Sequence, residues 1–201
     1  MMTKTGEVPP PKEETAVNHT GTVVLETPRL ILRPFVIDDA PAAYRNWCSD
    51  PEVTRFLRWP AHSSEQITRM VLESWIADYA RVDFYQWAIV PKEPGEPVGT
   101  ISVVDQEERA AKMHIGYCIG RPWQNKGYTT EALRAVMAHL FTRVGAGRIE
   151  SQHDPENIAS GRVMLKCGLH KEALLRKADW SNRGIVDACM HAILREEWAG
   201  E

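Results

Sequence analysis

What this chain lacks narrows its chemistry first. Its four cysteines, Cys48, Cys118, Cys167 and Cys189, stand far apart without paired spacing, so neither a disulfide framework nor a zinc knuckle is written into it. The seven histidines show no H-x-x-x-H or similar ligand spacing, and no metal is expected. No apolar run approaches the ~18 residues a membrane span requires, and the N-terminus lacks the basic-then-apolar order of a signal peptide. No membrane association is expected, and a cytoplasmic location is. An excess of basic residues is missing too: 24 Lys and Arg face 27 Asp and Glu, a net charge of -3, which argues against general nucleic-acid binding.

What is present suits one ordinary core. A chain of 201 residues with 43% hydrophobic residues is long enough for one domain and short for two. Residues 1–21, with Pro9, Pro10 and Pro11 before Lys12, Glu13 and Glu14, have almost nothing to bury and read as a flexible tail; residues 22–201 read as the domain. Leu30 to Arg33 reads as a strand stopped at Pro34, followed by a short helix capped by Asp38 with Pro41 in its first turn. The stretch 51–62 has no sustained period and reads as a loop or broken turn. Ser63 with Gln66 forms a capping-box pattern, after which Ile67, Met70, Val71, Trp75 and Tyr79 recur as an inward helical stripe.

Three strand signals follow: 87–90, 98–104 and 112–119, the first two joined by a Pro-Gly-rich turn. Ala132, Leu133, Val136, Met137, Leu140, Phe141 and Val144 then mark a helix laid against a sheet, halted at Gly145 and Gly147. A strand over 148–153 completes a βαβ unit and with it a parallel pair. Asn157 caps another helix, Gly168 and Leu169 stop it, and Ser181 to Gly184 turns a final hairpin. The expected fold is therefore α/β (α+β): a mixed sheet of about seven strands flanked by about four helices.

Between the strand at 112–119 and the long helix lies Arg121 to Ala132. A strand, a polar turn and a helix N-terminus make a seat for an anion, because first-turn N–H groups have no helical partner and the macrodipole adds to them. Gly127 lets the chain approach closely, and Lys126 adds a cation.

Three motifs resemble the GNAT superfamily of N-acetyltransferases, in its RimJ/RimL-like branch of ribosomal-protein N-terminal acetyltransferases. Glu26 to Arg33 is similar to that branch's T-x-R-L-x-L-R start. Gln124 to Thr129 looks like the superfamily's Q/R-x-x-G-x-G/A pyrophosphate loop, continued by T-E-A in Thr130, Glu131 and Ala132. Asn157 to Ser160, leading to Lys166 and Gly168-Leu169, resembles N-x-x-S followed by K-x-G-F/M. Together they span residues 25–198. Asn125 and Thr129 depart from the more usual Gly or Ala of the loop, and His114 stands where many relatives carry Glu.

The resemblance implies acetyl-CoA as co-substrate, laid between two parallel strands that splay apart. Pantetheine would pair near Ile119, and pyrophosphate would rest on Gln124, Asn125, Lys126, Gly127, Tyr128, Thr129 and Thr130, with Asn157 beside it. A backbone N–H near Cys118 or Ile119 is the expected oxyanion donor, and Gly116 marks a bulge or a close approach. Ser160 is the candidate proton donor to the leaving thiolate, or a helix residue bonding only backbone. His114 is a candidate base, or an exposed strand histidine. Glu131 is expected to complement its helix N-terminus, and the cysteines to pack. Phe56, Arg58, Trp59 and Trp180 border the acceptor side by the family layout. The expected activity is acetyl transfer to a primary amine, foremost a protein or peptide α-amino group. The alternatives are a small antibiotic or polyamine amine, for which an acidic cleft would be the sign, or a non-catalytic acyl-CoA sensor. A homodimer is compatible with all three readings.

Overall fold

The computed structural model describes residues 17–200. Its frame is one eight-stranded sheet in the order β1-β2-β3-β4-β5-β6-β8-β7. The strands are β1 (Leu25–Glu26), β2 (Leu30–Arg33), β3 (Gln86–Pro91), β4 (Gly99–Glu107), β5 (Lys112–Ile119), β6 (Arg148–His153), β7 (His170–Ser181) and β8 (Gly184–Leu194). Among the described residues the α-helices are α1 (Ala40–Ala43), α2 (Pro51–Thr54), α3 (Glu65–Asp78), α4 (Tyr128–His139) and α5 (Ile158–Lys166). Neighbouring strands run antiparallel except β5 and β6, as the βαβ reading required.

The parallel pair carries the functional geometry. Residues 112–114 of β5 pair with 148–150 of β6, and there the pairing stops. The Ser151 hydroxyl donates to the Ile115 carbonyl at 2.7 Å as a last link, after which β6 follows β8 and the strands part. From Tyr117 to Ile119 one edge of β5 is therefore left without a strand neighbour.

The core lies between the sheet and α4. Ala132, Leu133, Val136, Met137, Leu140, Phe141 and Val144 are all at most 1% exposed, packed against Leu30, Leu32, Trp87, Ile101, Ile115 and Ile149. Helix α4 passes through a π-turn (Leu140–Val144) and ends at Gly145, whose φ of 88° is the left-handed form that glycine adopts without strain. At the end of α5, Leu169 N–H bonds the Met164 carbonyl and Gly168 N–H the Leu165 carbonyl, the anticipated Schellman stop.

Several sequence expectations need correction. The sheet gains β1 because Leu25 and Glu26 fold back on Leu32 and Ile31; two residues are too few to show a period. Helix α2 forms within the stretch expected to be a loop, with Pro51 in its first turn and the Asp50 carboxylate accepting from Glu52 N–H. Asp39, not Asp38, anchors the entry to α1: its carboxylate accepts from Val36 N–H at 2.9 Å and pairs with Arg33 at 2.7 Å. The Ser63–Gln66 capping box is absent; α3 begins after Ser64 with no side-chain cap. Its inward stripe is also shifted, since Ile67 and Met70 are exposed and Thr68 and Leu72 are buried. Of the expected tail, residues 1–16 lie outside the described residues. Residues 17–21 are packed: Asn18 N–H bonds the Val144 carbonyl, Thr20 the His139 ring and Gly21 N–H the Val82 carbonyl.

Candidate active site

Helix α4 starts where β5 runs out. Asn125 takes a φ of 60° and Gly127 a φ of 81°, both left-handed, which turns the chain sharply into the helix. Asn tolerates this conformation better than other non-glycine residues, so its place in the loop is conformationally sound. The first helical bond runs from Glu131 N–H to the Gly127 carbonyl, leaving the N–H groups of Tyr128, Thr129 and Thr130 without helical partners. They form an anion seat at the positive end of the macrodipole.

A clamp holds this seat to the start of the sheet. Glu131 accepts from the Thr27 hydroxyl at 2.7 Å, from Arg29 N–H at 2.9 Å and from Arg29 Nε at 2.6 Å. Arg29 Nη1 donates to the Lys126 carbonyl, and its guanidinium lies 4.8 Å from the centre of the Tyr128 ring. Burial works against the Glu131 charge, but these hydrogen bonds outweigh it and hold the carboxyl below its ordinary value. The motifs at Thr27-x-Arg29 and Thr130-Glu131-Ala132 are thus two halves of one contact.

Two cavities open from the splayed edge. One, of about 510 Å³, is lined by Ile119, Gln124, Asn125, Gly127, Tyr128, Thr129, Thr130 and Asn157, together with Arg162 and Lys166 from α5. It has the unpaired strand edge and the anion seat that a pantetheine diphosphate needs. Ile115 directs its carbonyl toward β6, so by strand alternation the main-chain groups of Tyr117 and Ile119 face the gap, while those of Cys118 face β4. The other cavity, of about 670 Å³, is walled by Phe56, Arg58, Trp59 and Trp75 and floored by Gln86, Ser102, His114 and Gly116. Tyr117, Cys118, Asn157 and Ser160 line both.

At that junction Ser160 and Tyr117 are joined twice. The Ser160 hydroxyl donates to the Tyr117 oxygen at 3.0 Å, and the Tyr117 hydroxyl donates to the Ser160 carbonyl at 3.0 Å. Asn157 caps α5 by accepting from Ser160 N–H at 3.3 Å. Burial pushes the Tyr117 phenol well above its ordinary value, so it is a proton-bearing group. Burial likewise pushes Cys118 up to about 12 and Cys167 up to about 11, which keeps both thiols protonated and unsuited to covalent catalysis.

His114 sits on the other side of the junction. Its Nδ1 is 3.3 Å from Glu150 Oε1, a carboxylate also held by Lys112 at 3.2 Å and Arg148 at 3.1 Å. Burial lowers the His114 pKa, and Glu150 only partly restores it, so the ring is neutral near pH 7. Gly116 beside it allows a close approach of the facing strand: a Cβ there would meet Val104 Cγ1 at 2.9 Å. Of the two readings of Gly116, the close approach holds, and the bulge lies in the facing strand, between Val103 and Asp105.

The roof over the second cavity is tied down by the β7–β8 turn. Asn182 Nδ2 donates to the carbonyls of Thr54 and Trp59, each at 2.8 Å, and Asn182 N–H to that of Leu57 at 3.0 Å. Arg58 pairs with Asp179 at 2.6 Å. Phe56 and Trp59 therefore border the cavity, whereas Trp180 does not: it is 52% exposed, and its strand neighbours Asp179 and Ser181 face inward. Lys126 also stays out, contributing its carbonyl to the Arg29 clamp while its side chain lies outside both cavity walls. Sequence reasoning missed Tyr117, the Glu150 partner of His114 and the Asn182 tie, all of which depend on contacts between segments far apart in the chain.

A splayed parallel pair, an anion seat at the following helix and an acceptor cavity meeting it at a proton donor define an acyl-CoA-dependent acyltransferase architecture. Residues 29–170 match the acetyltransferase (GNAT) domain, and the chain belongs to that family. It is 31% identical over 178 residues to the N-acetyltransferase p20 of Bacillus licheniformis, covering 88% of this chain and 98% of that one. A crystal structure of an acetyltransferase from T. thermophilus, 30% identical, superposes with a TM-score of 0.75 over 88% of this chain and 92% of that chain. A RimL ribosomal-protein α-N-acetyltransferase in complex with coenzyme A shares the fold at 21% identity, with a TM-score of 0.77 over 89% of this chain and 100% of that chain. The protein is an N-acetyltransferase. No helix among the described residues is long and apolar enough to cross a membrane.

Proposed function

We propose that this enzyme transfers an acetyl group from acetyl-CoA directly to an α-amino group of a protein or peptide in the cytoplasm. The observation that carries the reading is the meeting of the two cavities at Tyr117, Cys118, Asn157 and Ser160, which lets donor and acceptor react without a covalent enzyme intermediate. The diphosphate would lie on the N–H groups of residues 128–130 and the amide arm along the free edge of β5. When bound, this co-substrate supplies an activated thioester.

The chain's own groups then do the rest. An α-amine, with a pKa of about 8, asks far less of a base than a lysine near 10.4. The neutral His114 ring can take its proton directly or through water as the C–N bond forms. The Ile119 N–H, aimed into the gap, stabilises the oxyanion. As the C–S bond breaks, the Ser160 hydroxyl turns from Tyr117 and gives its proton to the thiolate, and the proton taken by His114 returns to Ser160 through water, so that both groups end as they began. Of the three carboxylates lining the cavity, Asp154 is paired with Arg183 and Asp179 with Arg58, which leaves Asp105 as a single acid without an ion-pair partner among the described residues, where a polycationic acceptor would call for a cluster.

Thiol release should be measured with peptides, polyamines and aminoglycosides in parallel, alongside calorimetry with CoA. Turnover highest on peptides with a free α-amine, and abolished by blocking it, supports the reading. Turnover confined to polyamines or aminoglycosides overturns it, and tight CoA binding with no turnover on any amine favours a sensor instead.

A further inference from the structure

The floor of the acceptor cavity contains polar groups that the acetyl-transfer chemistry leaves unused. Gln86 on β3 stands directly opposite Ser102 on β4, and Ser102 directly opposite Gly116 on β5, so the three form one row across the sheet on the cavity face. Gln86 and Ser102 are 7% and 9% exposed, and both line the cavity. Gln86 Nε2 donates to Thr100 Oγ1, which in turn donates to the Trp87 carbonyl, and this fixes the amide with its oxygen pointing away. Among the described residues neither Gln86 Oε1 nor the Ser102 hydroxyl has a protein partner, and both residues line the cavity. Gly116, the third member of the row, adds no side chain and lets Val104 pack close over it, while all three residues line the cavity.

From this row we infer a side-chain subsite that selects acceptors whose amine-bearing carbon carries a short hydroxyl or carboxamide group. The inference rests on the α-amine reading. With the amine near His114, a side chain one or two bonds long points down onto Ser102 and Gln86, which line the same cavity. A hydroxyl there donates to Gln86 Oε1 and accepts from Ser102 Oγ, and a carboxamide can do both as well. An apolar side chain displaces the water that would otherwise satisfy the two groups and leaves them unpaired. Sites built to bond a substrate hydroxyl discriminate most strongly in this way. The preferred N-terminal residues are then Ser, Thr and Asn, and the disfavoured ones Ala and Val.

The experiment is a peptide series identical beyond the first residue and beginning with Ser, Thr, Asn, Ala or Val, compared by kcat/KM. The polar group should exceed the apolar group by about tenfold to a hundredfold. Ser102→Ala and Gln86→Met should each draw that ratio toward one, with melting curves run on both; if Gln86→Met fails to fold, Ser102→Ala decides. Equal rates across the series in the native enzyme, or a ratio untouched by Ser102→Ala, overturn the subsite while the α-amine reading stands. Failure to acetylate any peptide, whatever its first residue, overturns both together.

Discussion

Arg29 Nε lies 2.6 Å from Glu131 Oε2, so a residue at the turn into β2 holds the first turn of a helix about a hundred positions later in the chain. The same guanidinium grips the Lys126 carbonyl, and the loop between is fixed at both ends. Glu131→Ala should raise KM for acetyl-CoA by about threefold to tenfold, the worth of one or two partly solvated hydrogen bonds, and leave kcat nearly unchanged. Initial rates at saturating acceptor separate the two constants.

Gly127→Val attacks the same loop through its backbone. At a φ of 81° a β-branched residue is strained, and its Cβ would come within 3.3 Å of Arg29 Nη2. The dissociation constant for CoA should rise about tenfold or more, and calorimetry would show it. An unchanged constant would remove the loop from the cofactor site.

Ser160→Ala should lower kcat by about tenfold to a hundredfold and largely spare CoA binding. Tyr117→Phe should do likewise, and because the two hydroxyls share a hydrogen bond the double variant should cost less than the product of the singles. Full additivity would mean that they act independently.

The pH profile tests His114. Its pKa is held below the ordinary 6.5 by burial, against the pull of Glu150, so activity should rise with pH through that lowered value and rise again toward about 8 as the acceptor amine deprotonates. His114→Gln should erase the lower limb and keep the upper. Glu150→Gln removes the group that raises the pKa and should move the lower limb to still lower pH.

Stability should respond to acid in a related way. His62, His114, His139 and His191 all have pKa values lowered by burial, so the unfolded chain binds protons more readily than the folded one. Their contribution is fully present above about 6.5 and is lost as pH falls through the lower folded values. Melting temperatures recorded from pH 7.5 to 5 should fall steadily; a flat curve would mean that these rings protonate without unfolding cost.

The parts of the fold legible in the sequence are those whose signal is local and repeated. The stripe from Ala132 to Val144 is unbroken over 13 residues, and every member named from it is buried. Helix α3 departs from its apparent stripe because Thr68, polar by type, turns inward to bond His62 at 2.8 Å, while Ile67 and Met70 face outward at the rim. Gly127, Asn157 and Ser160 could be found because each acts at a helix start, where residue type and position speak together. Tyr117, Glu150 and Asn182 could not: each matters through a partner 36 or more positions away, and nothing in its neighbours marks the pairing.

The tie made by Asn182 grips carbonyl oxygens only. Any residue has a carbonyl, so the side chains at 56 and 59 can be exchanged without loosening that tie, whereas Arg58 is itself a second tie through Asp179. The acceptor half of this enzyme is in that sense a replaceable mould bolted to a permanent frame, and a library at Trp59, which lines the acceptor cavity and not the cofactor cavity, is the natural route to new amine preferences on an unaltered cofactor site.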